Sequence, residues 1–399
     1  MRDRGAAIRG ADAVSGKARR ASGIRKSPIL VLAGVCVLAA VLWPGRTKPG
    51  LFGEEEAMAM IQGGMRPIET SGDVYPEAVQ KYFMHYGLEA VEGIGHRFGT
   101  FKSGEWTLAA HIFEPAEYRG TVILLHGYLN HSGQFRHLVR RLLSEGYAVA
   151  MYDMPGHGLS TGDRAAIDDF SDYTDVLGDF VGVVERLTHG PVDIIGFSTG
   201  GTVVIDWLLT RDDTVFRRAV LAAPLVRNQG WRSSMAAARF YSNFSDHVPR
   251  MPRKNSSNKE YVRFNRRYDV LHQQEVSLRW VRALYAWNER MEGEEQSGRR
   301  LKVVQGTKDK TVDYEYNLGF IGSKFAGGSV AMIEGAGHEL FNESEELRNE
   351  AMDVIVTYLN VAEGADETGA IYGPDGGATG DGLEDRFGED GQHPVSETY

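Results

Sequence analysis

The apolar positions of this chain follow two rhythms that alternate along most of its length. Short runs dominated by Val, Ile, Leu and Ala recur at residues 106–113, 121–125, 148–152, 192–195, 219–221, 301–304 and 329–333. Several are unbroken, as strands buried on both faces of a parallel sheet require. Between or after them, residues 135–145, 173–187, 202–210 and 345–359 place apolar groups at helical spacing. Residues 76–88 predict a short lead-in helix, with Ala78, Val79, Tyr82 and Phe83 on one face. This alternation predicts an α/β fold built on a mostly parallel, doubly wound sheet. No internal repeat interrupts it.

The strand rhythm stops after Leu225 and resumes at about Ser297, so residues 226–296 predict a helical cap inserted into a core made of 76–225 and 297–361. Within the insertion, Val276, Trp280, Leu284 and Trp287 share one helical face, read as a packing face in preference to a ligand box. Its thirteen Lys or Arg and ten aromatic residues suit either phosphate heads and acyl chains or a solvated surface.

The ends differ from the middle. Residues 28–43, PILVLAGVCVLAAVLW, carry no charge, and eight Lys or Arg against Asp3 and Asp12 precede them in residues 1–27. The pattern predicts a basic cytoplasmic leader and a membrane anchor that leaves an extracytoplasmic catalytic domain, or a signal whose cleavage leaves a secreted or periplasmic protein. A buried core helix is the remaining reading of that run. Residues 44–75 are expected as a linker. Residues 362–399 hold nine Gly and ten acids against Arg386 and are expected as a disordered acidic tail.

The net charge of -10 therefore sits largely at the C-terminal end, and the 334 residues from 28 to 361 carry about -7, which advertises no nucleic-acid partner. A 42% apolar and 25% charged composition excludes a mostly disordered chain and a multi-span membrane protein. The single cysteine, Cys36, excludes a disulfide framework and a cysteine metal site in the folded part. Neither a metal nor an organic cofactor is expected, and the oligomeric state is not encoded legibly.

Chemistry concentrates where predicted strands end. Residues 192–195 run into Gly196-Phe197-Ser198-Thr199-Gly200, a G-x-S-x-G turn feeding the helix near Thr202. Glycines on both sides permit the tight turn that presents Ser198, while the helix start offers the Thr199 N–H to a developing negative charge. A second backbone donor, Tyr128 N–H, is expected from the loop His126-Gly127-Tyr128 after residues 121–125. A serine hydroxyl needs a base, and the base needs an orienting carboxylate. Asp309 follows residues 301–304 and His338 follows 329–333, so both stand at strand ends after the nucleophile. Asp313, Glu334 and Glu339 compete for the acid role, and His126, His131 and His157 for the base. His157, which precedes the nucleophile, reads as a loop organiser.

These residues carry a family resemblance. HGYLNHSG at 126–133, DMPGHGLSTGDR at 153–164, DFSDY at 169–173, GFSTGG at 196–201, GTKD at 306–309 and EGAGHEL at 334–340 resemble, in order, the monoacylglycerol lipase and bacterial lysophospholipase group of α/β-hydrolases. That group is also classed with serine aminopeptidase-like hydrolases, and the resemblance spans about residues 97–359. It implies a triad of Ser198, Asp309 and His338 with Tyr128 and Thr199 as backbone donors. The chain departs from the group at Phe197, where many members have His, and at Thr199, where they have Met. The resemblance and the apolar segment at 28–43 together favour cleavage of a monoacyl lipid ester, a lysophospholipid or a monoglyceride; serine peptidase activity is the alternative within the family, and an inactive membrane-tethered binding protein is the alternative from another class.

Overall fold

A computed structural model describes residues 54–361 except 73, 90 and 251–253. In its central sheet, strands β1 (Ile94–Ser103), β2 (Trp106–Pro115), β3 (Thr121–Leu125), β4 (Ala148–Tyr152), β5 (Val192–Phe197), β6 (Phe216–Ala222), β9 (Lys302–Gly306) and β10 (Ser329–Ile333) stand in the order β1-β2-β4-β3-β5-β6-β9-β10. The six strands from β4 to β10 run parallel, and β2 is antiparallel to both its neighbours. Their C-terminal ends consequently lie along one edge, and that edge carries the candidate chemistry. Every residue of β3, β4 and β5 is buried, which accounts for their unbroken apolar composition.

Helices cover both faces. Those described are α1 (Glu54–Gly64), α2 (Glu77–Tyr86), α3 (Arg136–Ser144), α4 (Ser171–Leu187), α5 (Thr199–Thr210), α6 (Trp231–Tyr241), α7 (Lys259–Arg267), α8 (Leu278–Gly293), α9 (Tyr314–Lys324) and α10 (Glu345–Asn360). One core layer joins Phe180 and Val184 of α4 and Val203 of α5 to Ile123, Ile194 and Val303 of the sheet. The other joins Leu138 and Leu142 of α3 and Ile355 of α10 to Val122, Ile195 and Val304. Alternate residues of each strand thus serve opposite layers, as the pleat demands.

The insertion between β6 and β9 contains α6, α7, α8 and a small ribbon of β7 (His247–Pro249) with β8 (Glu275–Ser277). Trp280, Leu284 and Trp287 are buried in the core layer beside α4, so that face packs. Val276 lies instead in β8, half-exposed.

Three features depart from expectation. Strand β1 was not foreseen, because IGHRFGTFKS mixes Gly, His, Arg and Lys into its alternation; a turn at Gly104, with φ 51°, folds it onto β2. Helix α9 was also unforeseen. Residues 54–70, within the stretch expected to link, form α1 and a turn whose Ile68 is fully buried. Gly99 admits this turn: a Cβ there would meet the Arg66 carbonyl at 2.3 Å, and Thr100 N–H donates to that same oxygen at 2.7 Å.

The expected localisation is corrected. Among the described residues no helix is long and apolar enough to cross a membrane. The single-pass topology, its membrane tether and the secreted alternative all rested on residues 28–43, which lie outside the described residues, as do the leader 1–27 and the tail 362–399.

Candidate active site

Ser198 occupies the turn between β5 and α5 with φ 51° and ψ -112°, a conformation that costs a non-glycine residue about 1–3 kcal/mol. The turn is held on both sides: Ser198 N–H donates to Ala222 O at 2.9 Å, and Ser198 O accepts from Leu225 N at 3.1 Å. The flanking glycines are sterically required. A Cβ on Gly196 would meet Gly200 O at 2.4 Å, and one on Gly200 would meet Leu125 O at 2.3 Å. The helix can therefore approach the end of β3 only without side chains at these positions.

His338, on the loop after β10, places Nε2 3.0 Å from Ser198 Oγ, and its Nδ1 lies 2.7 Å from Asp309 Oδ2. Asp309, on the loop after β9, is oriented in turn by Gln305 Nε2 at 3.1 Å on Oδ2 and by Thr311 N–H at 2.7 Å and Val312 N–H at 3.2 Å on Oδ1. All three side chains are buried. Burial pushes the Asp309 carboxyl up, but the adjacent His338 and the bonds from Thr311 and Gln305 outweigh it and hold it below the usual range. Burial likewise pushes His338 down, and the neighbouring Asp309 more than compensates, leaving the imidazole above its ordinary value of 6.5. The pair thus keeps a carboxylate beside an imidazole ready to take a proton.

Gly127 brings the loop after β3 against the nucleophile, since a Cβ there would lie 3.0 Å from Ser198 Cβ. Tyr128 N–H, one of the two expected donors, donates to the Thr199 hydroxyl at 3.2 Å and so ties the loop after β3 to the residue that carries the other. The Tyr128 side chain is clamped between the insertion and the loop after β4: its ring stacks on Trp280 at 3.6 Å, its hydroxyl accepts from Ser277 N–H at 2.9 Å, and that hydroxyl donates to Ala165 O at 2.8 Å. Among the described residues no group of three or more His, Cys, Asp or Glu side chains could hold a metal ion.

A family profile described as serine aminopeptidase, S33, matches residues 116–345. The chain belongs to this S33 hydrolase family. Relatives of the S33 member include a monoglyceride lipase homolog of Monkeypox virus, 27% identical over 62% of this chain and 92% of its own length. The phospholipase YtpA of Bacillus subtilis is 27% identical over 56% of this chain and 89% of its own. Among solved structures, a soluble variant of the Saccharomyces cerevisiae monoglyceride lipase matches with TM-score 0.58 at 16% identity, covering 65% of this chain and 94% of the other. The Paleococcus ferrophilus monoacylglycerol lipase matches with TM-score 0.55 at 24% identity, over 64% and 98%. These likenesses establish the α/β-hydrolase fold.

Within the S33 chain the rival residues have other partners. Asp313 caps α9 by accepting from Tyr316 N–H, Glu334 is exposed, and Glu339 accepts from Tyr261 Oη at 3.0 Å. His126 ties two loops together, with Nδ1 at 2.8 Å from Gly127 O and Nε2 accepting Met154 N–H at 2.9 Å; burial pushes it down to about 3. His157, pushed by burial to about 3, bonds Pro155 O at 2.9 Å. His131 faces Asp269 at 3.1 Å. Gln305, Thr311 and the Thr199 hydroxyl went unrecognised in the sequence. The first two sit within four residues of Asp309, a spacing that hints at carboxylate support without specifying it.

Proposed function

We propose that this S33 hydrolase cleaves carboxylic esters of monoacyl lipids, lysophospholipid or monoacylglycerol, through an acyl-enzyme. The single observation that supports the reading is the continuous relay from Ser198 Oγ through His338 to Asp309, at 3.0 Å and 2.7 Å. His338 Nε2 takes the Ser198 proton as Oγ bonds to the acyl carbon, and Asp309 holds the imidazolium. The tetrahedral oxyanion lies against Tyr128 and Thr199 N–H. His338 then passes its proton to the departing glycerol oxygen, and water repeats the sequence to release the fatty acid. The strained Ser198 backbone and the three glycines serve this arrangement by exposing Oγ to both His338 and the donors. The insertion acts as a cap whose Trp280 closes over Tyr128. The names of the viral and bacterial relatives favour a monoacyl lipid as the substrate class.

The family description points to amide cleavage as a second reading. Purified full-length protein, with Ser198→Ala as control, is to be assayed on lysophospholipids, monoglycerides, p-nitrophenyl esters of several lengths and aminoacyl amides. Ester turnover that falls on the order of 10⁴-fold or more in Ser198→Ala is expected. Turnover of the amides alone would replace the lipid-ester reading with a peptidase.

A further inference from the structure

The Thr199 hydroxyl stands where the acyl-enzyme reading places negative charge. Its residue opens α5, so there is no preceding helical turn whose carbonyl the hydroxyl can bond, the usual fate of a helical threonine. The side chain is buried beside the nucleophile. The oxygen accepts one hydrogen bond, from Tyr128 N–H at 3.2 Å, and among the described residues no acceptor receives its proton. A buried hydroxyl with an unspent proton is costly unless something arrives to take it.

We propose that the Thr199 hydroxyl is a third donor to the oxyanion, joining the Tyr128 and Thr199 amides; this rests on the acyl-enzyme reading above. As Ser198 Oγ bonds to the acyl carbon and gives its proton to His338, the carbonyl electron pair moves onto the substrate oxygen. That oxygen is a charged acceptor, and charge-assisted bonds are about twice as strong as neutral ones. It therefore takes the Tyr128 N–H from Thr199 Oγ, whose 3.2 Å bond is at the long end of the range. The freed threonine oxygen turns its own O–H toward the same atom, a rotation that moves no heavy atom. In the free enzyme the hydroxyl thus satisfies the Tyr128 amide as an acceptor, and in the transition state it acts as a donor. Such a group binds the transition state more strongly than the ground state, so it acts on kcat and leaves KM nearly alone.

The full-length protein and its Thr199→Val, Thr199→Ala and Thr199→Ser variants are compared on p-nitrophenyl butyrate, with competent sites counted by complete labelling with a fluorophosphonate. Per labelled site, Thr199→Val is expected to lose kcat by about 10- to 100-fold with KM within about threefold, and Thr199→Ser to recover most of the loss. If Thr199→Val yields no labelled sites, Thr199→Ala carries the comparison with the same expectation. Val and Ala variants within twofold of the parent would overturn the proposal. So would faster variants, because the hydroxyl would then be a plug that substrate must push aside. A loss expressed in KM alone, or one that Thr199→Ser fails to recover, would reduce Thr199 to packing and sink the proposal too. If the parent neither labels nor turns over ester, the hydrolase reading itself falls, and the third donor falls with it.

Discussion

Asp269 is the best place to measure what the insertion contributes. It lies in the insertion, is completely buried, and is met by donors from α2, from the loop after β3 and from its own segment. Tyr86 Oη at 2.9 Å, Leu271 N–H at 3.1 Å and His272 N–H at 3.0 Å meet Oδ1; Gln134 Nε2 at 2.7 Å meets Oδ2, and His131 Nε2 lies 3.1 Å from both oxygens. His131 and Gln134 belong to the loop after β3, so this carboxylate fastens the insertion to the segment that carries Tyr128. Asp269→Asn keeps the shape but turns one oxygen into a donor. In either amide orientation the new NH₂ faces existing donors. Losing two bonds to a buried charge costs about 3–5 kcal/mol, a large share of the ~5–15 kcal/mol that holds an ordinary domain together. Urea unfolding followed by circular dichroism at pH 7 should show a midpoint lower by at least ~1 M for a slope of ~3 kcal/mol/M. The pH dependence follows from the direction of the shift. Burial pushes Asp269 up, yet His131 and Gln134 hold it far below the ordinary carboxylate range. A carboxyl depressed in the folded state stabilises fully above its unfolded value of about 3.9 and loses that contribution only as pH falls through the folded value. The gap between parent and variant should therefore stay constant from pH 7 to 5 and close only below about pH 4. A difference under about 1 kcal/mol at pH 7 would refute the assignment of Asp269 as the fastening point.

Two further outcomes follow from the site. His338 sits above its ordinary 6.5 because Asp309 outweighs burial, so kcat/KM for an ester should rise through a midpoint alkaline of 6.5 as the imidazole loses its proton. In Asp309→Asn the main influence raising His338 is gone and burial, the largest cause, dominates, so a pH-rate profile should show the limb displaced to lower pH together with a large loss of rate. Gly200→Ala should destabilise by about 1–3 kcal/mol or more and abolish turnover, because its Cβ would lie 2.3 Å from Leu125 O. Gly201→Ala, with nothing nearer than Pro224 Cβ at 3.1 Å, should be much milder in the same thermal and kinetic measurements.

Much of the site was legible because each motif follows a strand of the parallel sheet. In a parallel sheet all such strands end on one edge, so Gly127, Ser198, Asp309 and His338 converge without any long-range information beyond the strand count. What escaped depends on direction and distance through space. Asp309 stands nearer its strand end than Asp313, which reads as a surface or helix-entry residue, and Asp313 does spend its carboxylate on the first turn of α9, a helix whose own apolar spacing was too weak to announce it. Strand β1 escaped because an edge strand can carry Arg97 and Lys102 toward solvent. The partners of Asp269 lie 135 and more residues away for Gln134, His131 and Tyr86, and no local pattern joins them.

The contacts of Tyr128 make the insertion part of the site and more than a cover. The amide of Tyr128 is an oxyanion donor in the proposed mechanism, and its ring and hydroxyl are gripped by Trp280 and Ser277 of the insertion. Any shift of α8 therefore disturbs the packing of the residue that carries this amide. Three buried attachments resist such a shift: the Tyr128 clamp, the Asp269 hub, and Asp206, which accepts from Trp287 Nε1 at 3.0 Å and Arg290 at 2.8 Å. Two of them hold α8 itself, at Trp280 and at Trp287. The third holds the segment just before β8. The insertion is thus anchored along the helix that grips the proposed oxyanion donor, and Trp280 and Trp287 of that helix are spent on packing against the core.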